Sequence, residues 1–425
     1  AKAARIRHPD HNINPILIKP LKNGKTQTIV NGKIFGEYDT DSYYRDFVLA
    51  EGVRAVRESV AVLKKRFEYV VMEGAGSPAE INIYDKDIAN MRAAEIADAD
   101  CILVVNMKWG GSFAYALGTV ELLPKDDRER VKGIILNNMY GDASSLEKGI
   151  KELEMITGIP VLGVIPHISV PLPSEDSLVL NKSDMNDNKV RVCILKLPKM
   201  AHFTDIDPLY HENAYIRYTD DPAELRASDI IIIPAANATD SLGWMRSNGL
   251  DITIKEMKGK IPIIGICGGY QLMGHSVPDG LGGNVDGLGL FDSSTYLKEG
   301  GGKMAAVEGT LASTGDKAEG YEMHRADIDT KETPLFILSK WGGEASSEGS
   351  SRHSEKLFGT SVHGLFSEPG FRRYILGMTG KYVPTENSNV SYEKILDDTI
   401  DRIADVFASS LDMRTFDDIF MRCRQ

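Results

Sequence analysis

The most pointed chemistry in this chain is a cysteine at a sharp corner. The run Ile261-Pro262-Ile263-Ile264-Gly265-Ile266 is apolar, and Cys267 follows it directly, ahead of Gly268-Gly269-Tyr270-Gln271-Leu272-Met273. The run predicts a strand, the residues after Cys267 predict a helix start, and the frame Gly265-x-Cys267-x-Gly269 is the thiol form of a nucleophile elbow. Small neighbours permit a strained turn that throws the thiol outward, and the helix start favours a thiolate. The amide of Gly268 is the expected donor to an oxyanion. The competing reading is a buried structural cysteine in a glycine-rich bend, since cysteine is among the most buried residues.

A thiol nucleophile needs a base. Of nine histidines, those at 8, 11, 167, 202 and 211 lie in or near the first half, and His275 would sit about two turns along the helix that Cys267 starts. His324, His353 and His363 remain. His363 ends the run Phe358-Gly359-Thr360-Ser361-Val362 just before Gly364-Leu365-Phe366, a strand end where a triad base belongs. No orienting carboxylate is apparent beside it, because the residue two positions on is Leu365. The reading is therefore a Cys267–His363 pair.

A second cluster, Glu73-Gly74-Ala75-Gly76-Ser77-Pro78-Ala79-Glu80, brings small residues and two carboxylates together. Small residues let backbone approach a ligand, and carboxylates hold magnesium or accept hydrogen bonds; a tight glycine-rich corner is the plain alternative. Gly24-Lys25-Thr26 imitates the end of a phosphate loop, but the glycine that GxxxxGK[ST] requires is replaced by Lys19, and strand-like residues flank it on both sides. A phosphate cradle needs its glycines and a helix N-terminus, so the match is rejected; if this domain uses ATP, its phosphate loop is expected upstream of residue 1.

These residues need a frame. Val70–Glu73, Cys101–Val105, Gly133–Asn137 and Val161–Pro166 are continuous apolar runs, separated by helical stretches at 52–67, 89–97, 112–123 and 145–157. Continuous runs suit buried parallel strands, and strand–helix alternation marks an α/β sheet covered on both faces. Ligands of such sheets sit beyond the carboxyl ends of the strands. A polar stretch from 174 to 189 precedes a second α/β series, Arg191–Leu195, Ile230–Ile233 and Ile261–Ile266. The expected organisation is a first domain at 1–175, a linker at 176–190, a second domain at 191–390 and a helical tail at 391–425. With 49 basic and 61 acidic residues among 425, the net charge is -12, which argues against nucleic acid as a partner. Four scattered cysteines, no apolar run of membrane-spanning length and no signal peptide predict a cytoplasmic protein that spans no membrane.

Several segments in order resemble the cobyric acid synthase family. They are Asn14-Pro15-Ile16-Leu17-Ile18-Lys19-Pro20, the Glu73–Glu80 stretch with Ile81-Asn82 and Asp87-Ile88-Ala89-Asn90, then Phe203-Thr204-Asp205 with Asp207-Pro208-Leu209. Gly265–Gln271, Asp286–Leu290, Gly320-Tyr321-Glu322-Met323-His324 and His363–Phe366 follow. The resemblance implies a dethiobiotin-synthetase-like parallel-sheet domain, incomplete at its start, followed by a class I glutamine amidotransferase-like α/β domain that keeps Cys and His without the usual third glutamate. It implies glutamine-dependent amidation of peripheral carboxylates of a corrinoid, adenosylcobyrinic acid diamide to adenosylcobyric acid, through a cysteine thioester and an acyl phosphate. ATP and Mg2+ are the implied cofactors, with no bound organic cofactor. By the same resemblance Glu73 and Asp87 would hold magnesium, Asn137 would face adenine, Lys19 would face phosphate or carboxylate, and Glu80, Asn82 and Asn90 would line the substrate side.

The sequence also departs from the family. Where it has A-D-I-D-R-G-G, this chain has Val105-Asn106-Met107-Lys108-Trp109-Gly110-Gly111, and where it has N-R-F-R-G-D, this chain has Asn137-Asn138-Met139-Tyr140-Gly141-Asp142. Two further readings follow: a phosphate loop supplied by a separate polypeptide, or a diverged, synthetase-inactive paralogue acting as a subunit or binding protein in tetrapyrrole metabolism.

Overall fold

The computed structural model describes residues 3–6, 9–21, 24–170, 189–279, 282–297, 303–324, 326–340 and 343–422. The expected linker at 176–190 lies outside the described residues up to 188. Contacts divide the chain into two units, 1–169 with 400–425, and 170–399.

The first unit opens on a three-stranded antiparallel sheet, Ile16–Pro20, Thr26–Val30 and Lys33–Tyr38. The Gly24-Lys25-Thr26 triplet sits in its first hairpin, as the rejected phosphate-loop match requires. A helix then begins earlier than its sequence pattern suggests, as a π-helix at Tyr43–Gly52 that continues as the α-helix Val53–Arg66. Cys101–Asn106, Val131–Met139 and Val161–Pro166 pair in parallel, with helices Ser112–Leu122 and Glu147–Thr157 supplying cover. Residues from 400 on belong to this unit. Leu411 bridges to Gly163, and Leu411, Met413, Phe416 and Ile419 pack on Ile135, Leu162 and Ile165, so apolar burial draws the last helix, Met413–Arg422, onto the sheet. One expectation fails. Val70–Glu73 is not a strand: Val71 is 79% exposed. Apolar composition suits a strand, but only pairing makes one, and Cys101–Asn106 is left as the edge of a three-stranded sheet.

The second unit is built on a six-stranded sheet in the order Ser350–Arg352, Leu357–Thr360, Ile263–Ile266, Ile230–Ile233, Val190–Leu195, Ala214–Thr219. All neighbours are parallel except the short Ser350–Arg352 strand. Side chains alternate between two cores. Val192, Ile194, Ile232, Ile264 and Phe358 face one; Cys193, Leu195, Ile231, Ile233 and Ile263 face the other. Burial on both faces explains why these strands read as unbroken apolar runs. The second core is closed by helices Ala238–Ser247, Leu250–Met257 and Gly268–Met273. The first is closed by helix Pro369–Gly377 and an antiparallel sheet that includes Lys303–Leu311, Lys317–His324, Phe336–Lys340 and the short strand Val362–His363. Together the two units form a two-domain α/β architecture. Among the described residues no helix is long and apolar enough to cross a membrane.

Candidate active site

Cys267 leaves the strand Ile263–Ile266 at φ 51° and ψ −110° and starts the helix Gly268–Met273. This left-handed backbone at a residue with a side chain is a strained corner. Two backbone bonds hold it: Cys267 N–H donates to Thr360 O on the neighbouring strand at 2.7 Å, and Gln271 N–H donates to Cys267 O at 3.0 Å. The two glycines after the thiol are dictated by close packing. A Cβ on Gly268 would lie 2.0 Å from Ala236 O, and one on Gly269 would lie 1.9 Å from Ile233 O. The peptide of Ala236 thus lies against the start of the helix, where the first N–H groups lack partners one turn back. Asn237 adjoins this peptide and caps the helix Ala238–Ser247 through the amide of Asp240.

His363 ends the strand that pairs with Lys317–His324. It is fully buried, and its ring interacts with the Cys267 sulfur. The carboxylate that sequence reasoning failed to find is Asp205. His363 Nδ1–H donates to Asp205 Oδ2 at 2.8 Å, and Gly364 N–H donates to Asp205 Oδ1 at 2.8 Å. The Phe203–Asp205 3-10 turn presents this side chain from 158 residues away in sequence. The segment was part of the family-like pattern, which is the only signal that could have flagged it. Burial disfavours the charged imidazole, but the Asp205 carboxylate and the Cys267 sulfur outweigh it and push the pKa of His363 up to about 9. The array is a thiol on an elbow, a protonated imidazole and an orienting carboxylate. The other described cysteines differ: burial pushes Cys193 up to about 12 and raises Cys101.

In the first unit two of the predicted side chains, Asn90 and Asp87, bond to backbone. Asn90 spans the glycine-rich loop, its Oδ1 accepting from Ala75 N–H at 3.0 Å and its Nδ2 donating to Ala75 O at 2.8 Å. Asp87 accepts from the amides of Ala89 at 2.9 Å and Asn90 at 3.2 Å ahead of the helix Met91–Ala97. Glu73, Glu80 and Asn82 lie exposed in the irregular stretch before it, and Lys19 is exposed on the first hairpin. Asn137 is half-buried at the end of Val131–Met139, its carbonyl accepting from Met107 N–H at 2.7 Å. Beside it, and not foreseen, Asn138 donates to Asn106 Oδ1 at 3.2 Å and bonds His167 Nδ1 at 2.7 Å, while Tyr140 stacks on His167. Among the described residues no group of three or more His, Cys, Asp or Glu could hold a metal ion.

Residues 191–371 match the family model of the CobB/CobQ-like glutamine amidotransferase domain, and residues 37–171 match that of an AAA domain. The class is therefore an enzyme joining an AAA-type domain to a thiol glutamine amidotransferase domain. A probable cobyric acid synthase of Methanothermobacter thermautotrophicus is 36% identical over 99% of this chain and 87% of its own length. Cobyric acid synthases of Clostridium acetobutylicum and Limosilactobacillus reuteri are 35% and 34% identical, over 96% and 99% of this chain and 84% and 86% of their own. The chain belongs to the cobyric acid synthase family.

Proposed function

We propose that this chain hydrolyses glutamine at Cys267 and that the ammonia serves to amidate peripheral carboxylates of a corrinoid, in the conversion of adenosylcobyrinic acid diamide to adenosylcobyric acid. The observation that carries the reading is the Asp205–His363 hydrogen bond beside the Cys267 elbow. With its proton resting on His363 Nε2, the Cys267 sulfur attacks the side-chain carbonyl carbon of glutamine, and the amides of Gly268 and Ala236 receive the oxyanion. The Nε2 proton of His363 passes to the departing ammonia. Water then attacks the thioester, giving its proton back to Nε2, and glutamate leaves with the sulfur restored. Asp205 keeps the Nδ1 proton in place, so that Nε2 always faces the reaction. The expected setting is the cytoplasm, in keeping with four scattered cysteines.

Asp205→Asn is expected to lower kcat for glutamine hydrolysis by about 10–10³-fold, because an amide can hold the imidazole in the wrong tautomer and no longer stabilises its charge. The same contact has a stability signature. The folded pKa of His363, about 9, lies above its ordinary value of 6.5. The stabilisation is therefore full below about pH 6.5 and is lost as pH rises through about 9. In denaturant titrations the gap in stability between the native chain and Asp205→Asn should shrink between those limits. A gap that widens toward alkaline pH contradicts the assignment.

A second reading concerns the amide-forming half, and the contacts of Asp87 and Asn90 favour it. No GxxxxGK[ST] motif occurs in the 425 residues, and a triphosphate needs a row of amides, a helix N-terminus and a lysine. ATP and Mg2+ are expected from the family, but this 425-residue polypeptide is predicted to bind ATP weakly and to make no amide unaided. Titration calorimetry with ATP and magnesium tests this. A dissociation constant below about 10 μM, or about -7 kcal/mol, contradicts it. Amidated corrinoid appearing once a GxxxxGK[ST] segment is supplied, in cis or on a separate polypeptide, supports the synthetase reading. No amide under either condition favours a repurposed, synthetase-inactive member of the family.

A further inference from the structure

The glutaminase reading places His363 at the centre of the chemistry, and the following inference rests on it. Two rings that the mechanism does not use, themselves 6.0 Å apart, contact His363. His202 adopts a left-handed backbone, φ 55°, immediately before the Phe203–Asp205 turn that delivers the orienting carboxylate. Its ring stacks on His363 with centroids 4.0 Å apart and planes 30° from parallel. The Tyr321 hydroxyl is bonded to His202 Nδ1 at 3.1 Å, and the Tyr321 ring stacks on His363 at 5.3 Å. One strained segment thus supplies both the carboxylate that holds the Nδ1 edge of the base and the ring that covers its face.

We propose that neutral His202 is a positioning residue that clamps His363 between Asp205 and Cys267, and that protonation of His202 switches the thiol site off in acid. Among the described residues the charged and titratable groups facing His202 are His363, Asp205 and Tyr321, and Tyr218 lines the same small cavity. Burial, and then the neighbouring His363, hold His202 below its ordinary pKa, against the opposing pull of Asp205, so at neutral pH the charge rests on His363 alone. A second proton puts two cationic rings face to face at 4.0 Å. Either the His202 ring leaves the stack or His363 gives up the proton that ammonia needs.

The test compares His202→Phe, which keeps a ring that cannot titrate, with the native chain. His202→Asn, which tolerates the left-handed backbone, is the second variant if the first fails to fold, as judged by thermal melting. Two rates are followed from about pH 5 to 8: alkylation of Cys267 by iodoacetamide, and glutamate release. The midpoint of the acid limb should move to lower pH by about half a unit or more in both readouts. A midpoint that stays in place or moves up, whatever the absolute rate, overturns the proposal and leaves His202 as packing. Alkylation requires no glutamine turnover. If its midpoint moves in a chain that never releases glutamate, the clamp is upheld and the glutaminase reading fails.

Discussion

Replacing Cys267 with serine or alanine is expected to reduce glutamate release from glutamine by on the order of 10³-fold or more, with the fold intact. No other described thiol can take its place, because burial keeps Cys193 and Cys101 protonated well above neutral pH. His363→Ala should cost about 10²–10⁴-fold, the range for loss of a general acid–base group. Assays of glutamate release at saturating glutamine check both. Equal rates for native chain and Cys267→Ser would remove the thiol from the mechanism, and an alanine variant within about threefold of native would move the base elsewhere.

The largest expected loss of stability lies away from the thiol, at Arg372. Both Arg372 and Glu212 have fully buried side chains, joined Nε to Oε1 at 2.5 Å. The guanidinium also donates to the carbonyls of Phe366 and Val390 at 2.7 and 2.8 Å, and Glu212 Oε2 accepts from the hydroxyl of Tyr382. Arg372 therefore ties the turn that follows His363 to the segment around 390. Such a pair adds little net stability over an apolar replacement, yet removing one member leaves an uncompensated buried charge. Arg372→Ala should cost about 3–5 kcal/mol of unfolding free energy, read as a lower midpoint in urea. A cost below about 1 kcal/mol would show that the site relaxes or hydrates freely.

Which parts could be read from sequence follows from how each is encoded. Strands buried on both faces, such as Ile230–Ile233 and Ile263–Ile266, announce themselves as apolar runs, and the glycines around Cys267 mark the elbow. His363 was legible as a histidine at a strand end. Asp205 was not, because a contact across 158 residues leaves no local spacing to detect. The antiparallel strands that seat His363 are equally quiet. Lys317–His324 carries Lys317, Glu319 and Glu322, and its strand identity comes from pairing with Lys303–Leu311 and Val362–His363. Val70–Glu73 is the opposite case, a strand-like composition with no partner. In the first unit, ligand contacts for Asn90 and Asp87 were suggested by the family resemblance, and the backbone amides these side chains also satisfy become visible only once the loop is folded.

The central claim is that Cys267, served by His363, is the nucleophile toward glutamine. The most direct measurement treats the intact chain with a diazoketone analogue of glutamine, which alkylates a thiol only after binding as substrate, and locates the adduct by peptide mass spectrometry. The account predicts one adduct per chain, on the peptide containing Cys267, blocked by excess glutamine, absent from Cys267→Ala and slowed in His363→Ala. Labelling at Cys101 or Cys193, or glutamine hydrolysis that continues with Cys267 unlabelled, would contradict it.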